Sequence, residues 1–213
     1  MGLNLRAATE ADLADIVDVS TAAFEADAIM RRLTPSHLQA PDGSSIQALR
    51  QWRIARKIVR FRAERTIMMV AVDDEGGKIV GYSIWQRPVG DDEEEEEQQP
   101  TQMTLTGVDQ DAYAELHRIL GEDERESFGD RGTKDIWHLA SIGVHPQYQK
   151  RGIGKILLNW GVQEASKQGK DCYLVATPTG VALYRAAGFE NVRTMEIFGT
   201  PHVSMRKRHS ILK

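Results

Sequence analysis

The stretch 137–155, WHLASIGVHPQYQKRGIGK, constrains the fold more than any other part of the chain. Residues 139–144 form a largely apolar run of strand length and strand composition. Pro146 ends the ladder, because proline has no N–H to donate. A polar turn then leads into Gly152-Ile153-Gly154. From Lys155 onward the pattern is helical, with apolar residues at Ile156, Leu157, Trp160 and Val162. Strand, glycine turn and helix start make an anion cradle. The unpaired N–H groups at a helix N-terminus point outward and the macrodipole favours negative charge there. Glycines let the backbone approach a phosphate closely, and Lys150, Arg151 and Lys155 add positive charge.

Two nucleotide motifs are excluded by single positions. The dinucleotide fingerprint Gly-x-Gly-x-x-Gly needs a third glycine where Leu157 stands. The P-loop Gly-x-x-x-x-Gly-Lys-Ser/Thr needs glycine at Gln149 and a hydroxyl at Ile156. What remains is Gln149-x-x-Gly152-x-Gly154 directly after a strand. This resembles the acetyl-CoA pyrophosphate loop of the GNAT N-acetyltransferase superfamily, Gln/Arg-x-x-Gly-x-Gly/Ala. A second motif follows at the right distance. Residues 171–176 read as the next strand and 179–187 as a helix closed by Gly188 as its C′ glycine. Leu183-Tyr184-Arg185-Ala186-Ala187-Gly188-Phe189 is similar to the LYxxxGF signature of the same superfamily. The likeness is specific over about 137–189.

The resemblance implies a mixed α/β (α+β) fold: a mostly antiparallel central sheet flanked by helices, with splayed central strands that hold acetyl-CoA. It implies an acetyl-CoA-dependent N-acetyltransferase that transfers the acetyl group directly to a primary amine, with a small-molecule acceptor expected. Acetylation of a protein lysine or N-terminus is the alternative within enzymes, and a non-catalytic acyl-CoA-binding module is the alternative outside them. By the same resemblance, Ile142, Gly143 and Val144 pair with the pantetheine arm, and the Ile142 N–H faces the thioester oxygen. Gln149 and the backbone of Lys150, Arg151, Gly152, Ile153, Gly154 and Lys155 hold the pyrophosphate. Tyr184 matches the tyrosine that protonates the departing thiolate and borders the cofactor. Thr177 stands where many relatives carry a pantetheine-binding asparagine, and one hydroxyl replaces an amide there.

An aliphatic amine arrives protonated, with a pKa of about 10. His138 opens the central strand where serotonin N-acetyltransferase-type members carry a histidine; it is the expected general base, with a water chain as the alternative base and a structural histidine at a strand end as the alternative role. Strict alternation would put it on the side of Ala140 and Ile142. Serotonin-type members add a second histidine where this chain has Ala140, so any relay differs. His145 reads as structural.

The rest of the chain reads as one domain, 1–213, with an insertion at about 88–135. Residues 3–7 alternate as a first strand, and Thr9 caps a helix with Glu10 and Asp12 in its first turn. Residues 25–44 read as irregular with room for a short helix, and 45–64 as a helix with apolar positions set among many arginines. Residues 66–72 and 78–86 form a hairpin across Gly76-Gly77. In the insertion, the run 91–97 is seven acids long and reads as a solvated loop, or as a fence that draws in a cationic acceptor. Residues 109–120 read as helical, over the acceptor side. After Phe189, 192–198 and 203–208 read as strands joined across Gly199 and Pro201, the basic residues 206–209 closing an edge strand.

The formal net charge of −4 speaks against nucleic acid. The only cysteine, Cys172, excludes an internal disulfide and reads as a small buried hydrophobe rather than a nucleophile. No signal-peptide core and no run of membrane-spanning length are visible, and Arg6 stands where a myristoylation site wants Ser or Thr. A cytoplasmic protein, monomer or homodimer, without membrane partner or metal, is expected.

Overall fold

The computed structural model describes residues 2–40, 42–89, 107–129 and 132–209. Seven strands form one sheet in the order β1-β2-β3-β4-β5-β7-β6. They are β1 Leu3–Ala7, β2 Thr66–Asp73, β3 Ile79–Gln86, β4 Trp137–Val144, β5 Cys172–Ala176, β6 Glu190–Ile197 and β7 Thr200–Lys207. Every neighbouring pair is antiparallel except β4–β5. The helices are α1 Leu13–Ala23, α2 Ala28–Leu33, α3 Ser44–Arg62, α4 Gln110–Phe128, α5 Ile153–Lys167 and α6 Val181–Ala186. This is the mixed, mostly antiparallel sheet with flanking helices that the sequence predicts.

The parallel pair defines the molecule. β4 and β5 pair only from Trp137↔Cys172 to Leu139↔Leu174. From Ala140 to Val144, β4 has no β5 partner, so one side of its backbone is open. The other side stays bonded to β3 as far as Gly81↔Val144.

The two faces of the sheet carry separate cores. On the α5 face, Trp85, Trp137, Leu139, Leu158 and Leu174 are buried together. A Cβ on Gly161 of α5 would lie 2.1 Å from Trp85 Cε2, so the indole rests directly on the helix backbone. On the α1 face, Leu13, Ile16, Val70, Tyr82 and Ile84 pack together, with Ile58 and Phe61 of α3. Thr9 and Asp12 form a reciprocal capping box, and Arg6 forks onto the same carboxylate at 2.7 and 2.8 Å. Arg6 lowers the Asp12 pKa well below the usual carboxylate range, with Thr9 adding to it against the cost of burial. α4 is anchored by buried Asp123, which accepts from Tyr173 Oη at 2.5 Å and Ser204 Oγ at 2.6 Å.

The short helix expected within 25–44 is α2, followed by a 3₁₀ turn at Ser36–Leu38. Two expectations need correction. The last two strands turn more tightly than predicted. Phe198 and Gly199, with φ of 50° and 74°, make a two-residue connection, and Pro201 lies inside β7 opposite Glu196. β7 is also no edge strand, since it sits between β5 and β6. Its basic end is used internally: Arg206 donates to Asp171 at 2.8 Å and the His209 N–H to the same carboxylate at 2.7 Å. β6 is the true edge, with exposed Glu190, Arg193 and Glu196. The acidic run 91–97 lies outside the described residues.

Candidate active site

A groove of about 660 Å³ opens where β4 leaves β5. It is walled by β4, by the 3₁₀ turn Pro146–Tyr148 and the start of α5, and by α6 with the loop before it. Of the predicted residues, Ile142, Gly143, Val144, Gln149, Lys150, Gly152, Ile153, Gly154, Lys155, Thr177 and Tyr184 all line it. Arg151 and His138 do not.

Backbone direction on β4 follows from two hydrogen bonds. The His145 N–H donates to Val80 O of β3 at 2.9 Å. In an antiparallel ladder the direction alternates, so Gly143 also faces β3 while Ile142 and Val144 face away. The Val144 carbonyl confirms this, since Gln149 Nε2 reaches it at 3.1 Å. The N–H groups of Ile142 and Val144 therefore point into the side that β5 has vacated.

The turn into α5 is built for an anion. Lys150 has φ of 62° and the N-cap Gly152 has φ of 80°, so the chain turns sharply into the helix. The first intrahelical bond is Ile156 N–H to Gly152 O at 3.1 Å. The N–H groups of Ile153, Gly154 and Lys155 precede it and have no partner within the helix. All three residues line the groove, where the macrodipole is positive. Arg151 turns back: it donates to Gln147 O at 3.1 Å and lies over the Tyr148 ring.

α6 places Tyr184. The helix ends in a Schellman motif: the Phe189 N–H returns to Tyr184 O at 3.0 Å and the Gly188 N–H to Arg185 O at 3.0 Å. Gly188 has φ of 85°, which accounts for the glycine in the Leu-Tyr-…-Gly-Phe motif. Phe189 is thereby folded onto the edge of the Tyr184 ring, 6.1 Å between centroids. Burial raises the Tyr184 pKa, with buried Tyr82 adding to it, so the phenol keeps its proton. Gly180 packs under the same ring, where a Cβ would come within 2.9 Å of Cε2. Thr177 shares a hydroxyl contact of 3.2 Å with Thr179.

His138 lies elsewhere because β4 is irregular. The β3–β4 register runs Ile84↔Ser141 and then Trp85↔Leu139, which skips Ala140. One extra residue reverses the side-chain alternation beyond it. Ile142 therefore joins Leu139 on the α5 face, while His138 stands with Ala140 and Ser141 on the α1 face, so the predicted grouping holds for Ala140 and fails for Ile142. His138 Nδ1 is 3.1 Å from Gln86 Oε1, and the ring lies 5.3 Å from that of Tyr173.

Burial pulls the His138 pKa down to about 4, against an upward pull from Glu124, with Arg60 and Arg65 lowering it further. The folded chain therefore binds fewer protons than the unfolded one below the ordinary value of about 6.5. Stability should fall as pH drops from 6.5 through 4, by about 3 kcal/mol in full. His117, whose pKa burial also lowers, acts in the same direction. Urea unfolding of wild type and His138→Gln at pH 7 and pH 4.5 checks this. The variant should lose less stability on acidification, and equal losses would contradict a buried neutral imidazole.

Cys172 is buried and its thiol is pushed up to about 12, chiefly by desolvation, so it is not a nucleophile at neutral pH. Sequence reading missed one feature of the groove's inner wall. Tyr82 Oη donates to Ser20 Oγ at 3.0 Å and lies 2.9 Å from Ser141 Oγ, linking α1, β3 and β4. Tyr82 sits in a mostly apolar strand pattern, and only pairing opposite Gly143 brings it to this place. Gly143 leaves room for it, since a Cβ there would lie 2.7 Å from the Tyr82 ring.

Comparison with known proteins agrees with this geometry. A curated acetyltransferase from the fungus Stachybotrys chartarum is 25% identical over 200 residues, 91% of this chain and 83% of its own. Among solved structures, a histone acetyltransferase HPA2 and related acetyltransferase from Corynebacterium glutamicum superposes with a TM-score of 0.63. It is 25% identical and covers 99% of this chain and 98% of that one. The PaiA N-acetyltransferase of Thermoplasma acidophilum, solved with coenzyme A, shares the fold at a TM-score of 0.58, with 15% identity over 98% of this chain and 100% of that one. The model of the acetyltransferase (GNAT) family matches residues 27–189, most of the sequence. The chain belongs to the GNAT acetyltransferase family.

Proposed function

We propose that this acetyltransferase moves the acetyl group of acetyl-CoA directly onto the primary amine of a small molecule. The observation that carries the reading is the open edge of β4. It supplies outward N–H groups at Ile142 and Val144 and leads straight to the α5 cradle. In this reading the pyrophosphate lies on Gln149 and the backbone of Lys150 to Lys155, with the charge of Lys150, Arg151 and Lys155 nearby. The pantetheine arm adds to β4 where a strand would otherwise pair, and Thr177 lines its far side.

The thioester carbonyl sits at the Ile142 N–H, which strengthens its bond as the oxygen becomes an oxyanion. The neutral amine nitrogen attacks that carbon, the C–S bond breaks, the nitrogen gives its extra proton to water, and the thiolate takes a proton from Tyr184, which water then restores. Burial keeps the phenol protonated until that moment. His138 is held against Gln86 and Tyr173 and titrates low, so any part it takes in removing the amine proton runs through intervening groups. A cytoplasmic setting is part of this reading, supported by the single, buried thiol of Cys172. Among the described residues no helix is long and apolar enough to cross a membrane.

Thiol release from acetyl-CoA with a panel of small amines and short peptides tests the reading. Turnover with small amines supports it. Turnover with peptides alone moves the acceptor class to proteins, and tight acetyl-CoA binding without turnover makes the chain a binding module.

A further inference from the structure

α3 treats its cations in two ways. At its exposed flank, Arg50 forks onto Asp18 and Arg62 onto Glu10. Between them Arg53, Arg56, Lys57 and Arg60 recur at i, i+3, i+4 and i+7, which is one stripe of a helix, and all four are half-buried. None of the four has a carboxylate partner among the described residues. Arg53 donates to Thr21 Oγ1 at 2.9 Å. The Arg56 guanidinium lies 4.8 Å from the ring centroids of both Trp52 and Tyr113. The Lys57 ammonium lies 5.2 Å from the centroid of Tyr82.

Like charges at i, i+4 oppose a helix, and partial burial sharpens the cost. α3 itself carries no acidic residue to offset this. Desolvation, then Arg60, Arg56 and Arg53, bring the Lys57 pKa down to about 7. His117 of α4, stacked on Tyr113 at 4.5 Å, offers no negative charge. Trp52 Nε1 is a buried donor without a partner among the described residues. Among the described residues the stripe is thus rich in donors and positive charge and short of acceptors. It also adjoins the groove. Lys57 covers Tyr82, whose hydroxyl meets Ser141 of β4, and Ser141 lines the groove one residue from Ile142.

We propose that Arg53, Lys57 and Arg60 bind an anionic group, a carboxylate or a phosphate ester, carried by the same molecule as the accepting amine. Arg56, held between two rings, is the positioning member of the stripe. The proposal rests on the acyl-transfer reading of the groove and names its acceptor class: an amine that is negatively charged at its other end. A polycation would meet like charge at the same wall. That is the opposite of the acceptor suggested by an acidic fence.

Matched acceptors test it. The specificity constant should be about 10- to 100-fold higher for β-alanine than for β-alaninamide, or for phosphoethanolamine than for ethanolamine. Which pair shows the larger gap tells carboxylate from phosphate. Arg60→Gln and Lys57→Met should erase the gap while acetyl-CoA affinity stays as in wild type, and Lys57→Arg should keep it. Equal or higher constants for the neutral members, or for a diamine, would overturn the proposal, as would variants that keep the preference.

A second measurement is independent of turnover. Inorganic phosphate and β-alanine should bind the full wild-type chain in calorimetry at a site that folded Arg60→Gln lacks, any binding at the α5 cradle being common to both. If acyl transfer is absent with every amine, the function reading fails while this measurement still decides the stripe. If transfer proceeds and neither anion distinguishes wild type from Arg60→Gln, the stripe proposal alone fails.

Discussion

Gly154→Val should weaken acetyl-CoA binding by about 100-fold and leave the protein folded. Gly154 stands at the second position of α5, among the N–H groups that have no helical partner. A Cβ there would meet Leu183 Cδ2 at 3.4 Å and Val144 Cγ2 at 3.9 Å, both ordinary contacts. The backbone also has no left-handed strain at this residue, unlike Gly152 with φ of 80°. So the cost to the fold is small. The valine methyls, however, enter the gap between the start of α5 and α6, which is the groove itself. A pyrophosphate pushed away from this helix start loses charge-assisted hydrogen bonds, each worth about 1.5–3 kcal/mol. Losing the equivalent of two weaker ones gives the stated factor. Isothermal titration with acetyl-CoA reads it directly. A folded variant with wild-type affinity would mean that the pyrophosphate lies elsewhere.

The cradle was legible because its parts are local. A strand, a turn with glycine at positive φ and a helix start follow one another within 137–155, and each has its own residue signature. The Gly188-Phe189 ending was legible for the same reason: the Schellman motif is written in consecutive residues. What was not legible depends on pairing across the sheet. The skipped Ala140 leaves no mark in the apolar run 139–144, yet it decides that Ile142 and His138 face opposite sides. A strict alternation argument had to put them together. The inner position of β7 was hidden likewise, because order in a sheet is set by which edges meet and not by sequence order. α4 runs eight residues past the end expected for it, to Phe128, because its second half is held by buried Asp123 against Tyr173 and Ser204. The polar stretch of that helix gives no apolar stripe to follow. The arginines of α3 were visible in the sequence, but their number alone does not separate a solvated face from a half-buried one.

Tyr184→Phe should lower the turnover number by about 10- to 10⁴-fold, the range of a lost general acid, with little change in stability or in acetyl-CoA affinity. The ring is 7% exposed and packs edge-on against Phe189, and phenylalanine keeps both contacts. No hydrogen bond of the Tyr184 hydroxyl is formed with the described residues, so its removal strands no buried partner. The change therefore acts on proton supply alone. With the phenol gone, the coenzyme A thiolate must leave unprotonated or draw its proton from water. That step becomes slower while attack by the amine is untouched. The discriminating measurement is a leaving-group comparison. An acyl donor whose thiol is more acidic needs the proton less, so the penalty of Tyr184→Phe should shrink with such a donor. A uniform penalty across donors would make Tyr184 a positioning residue, and wild-type turnover would return it to the core.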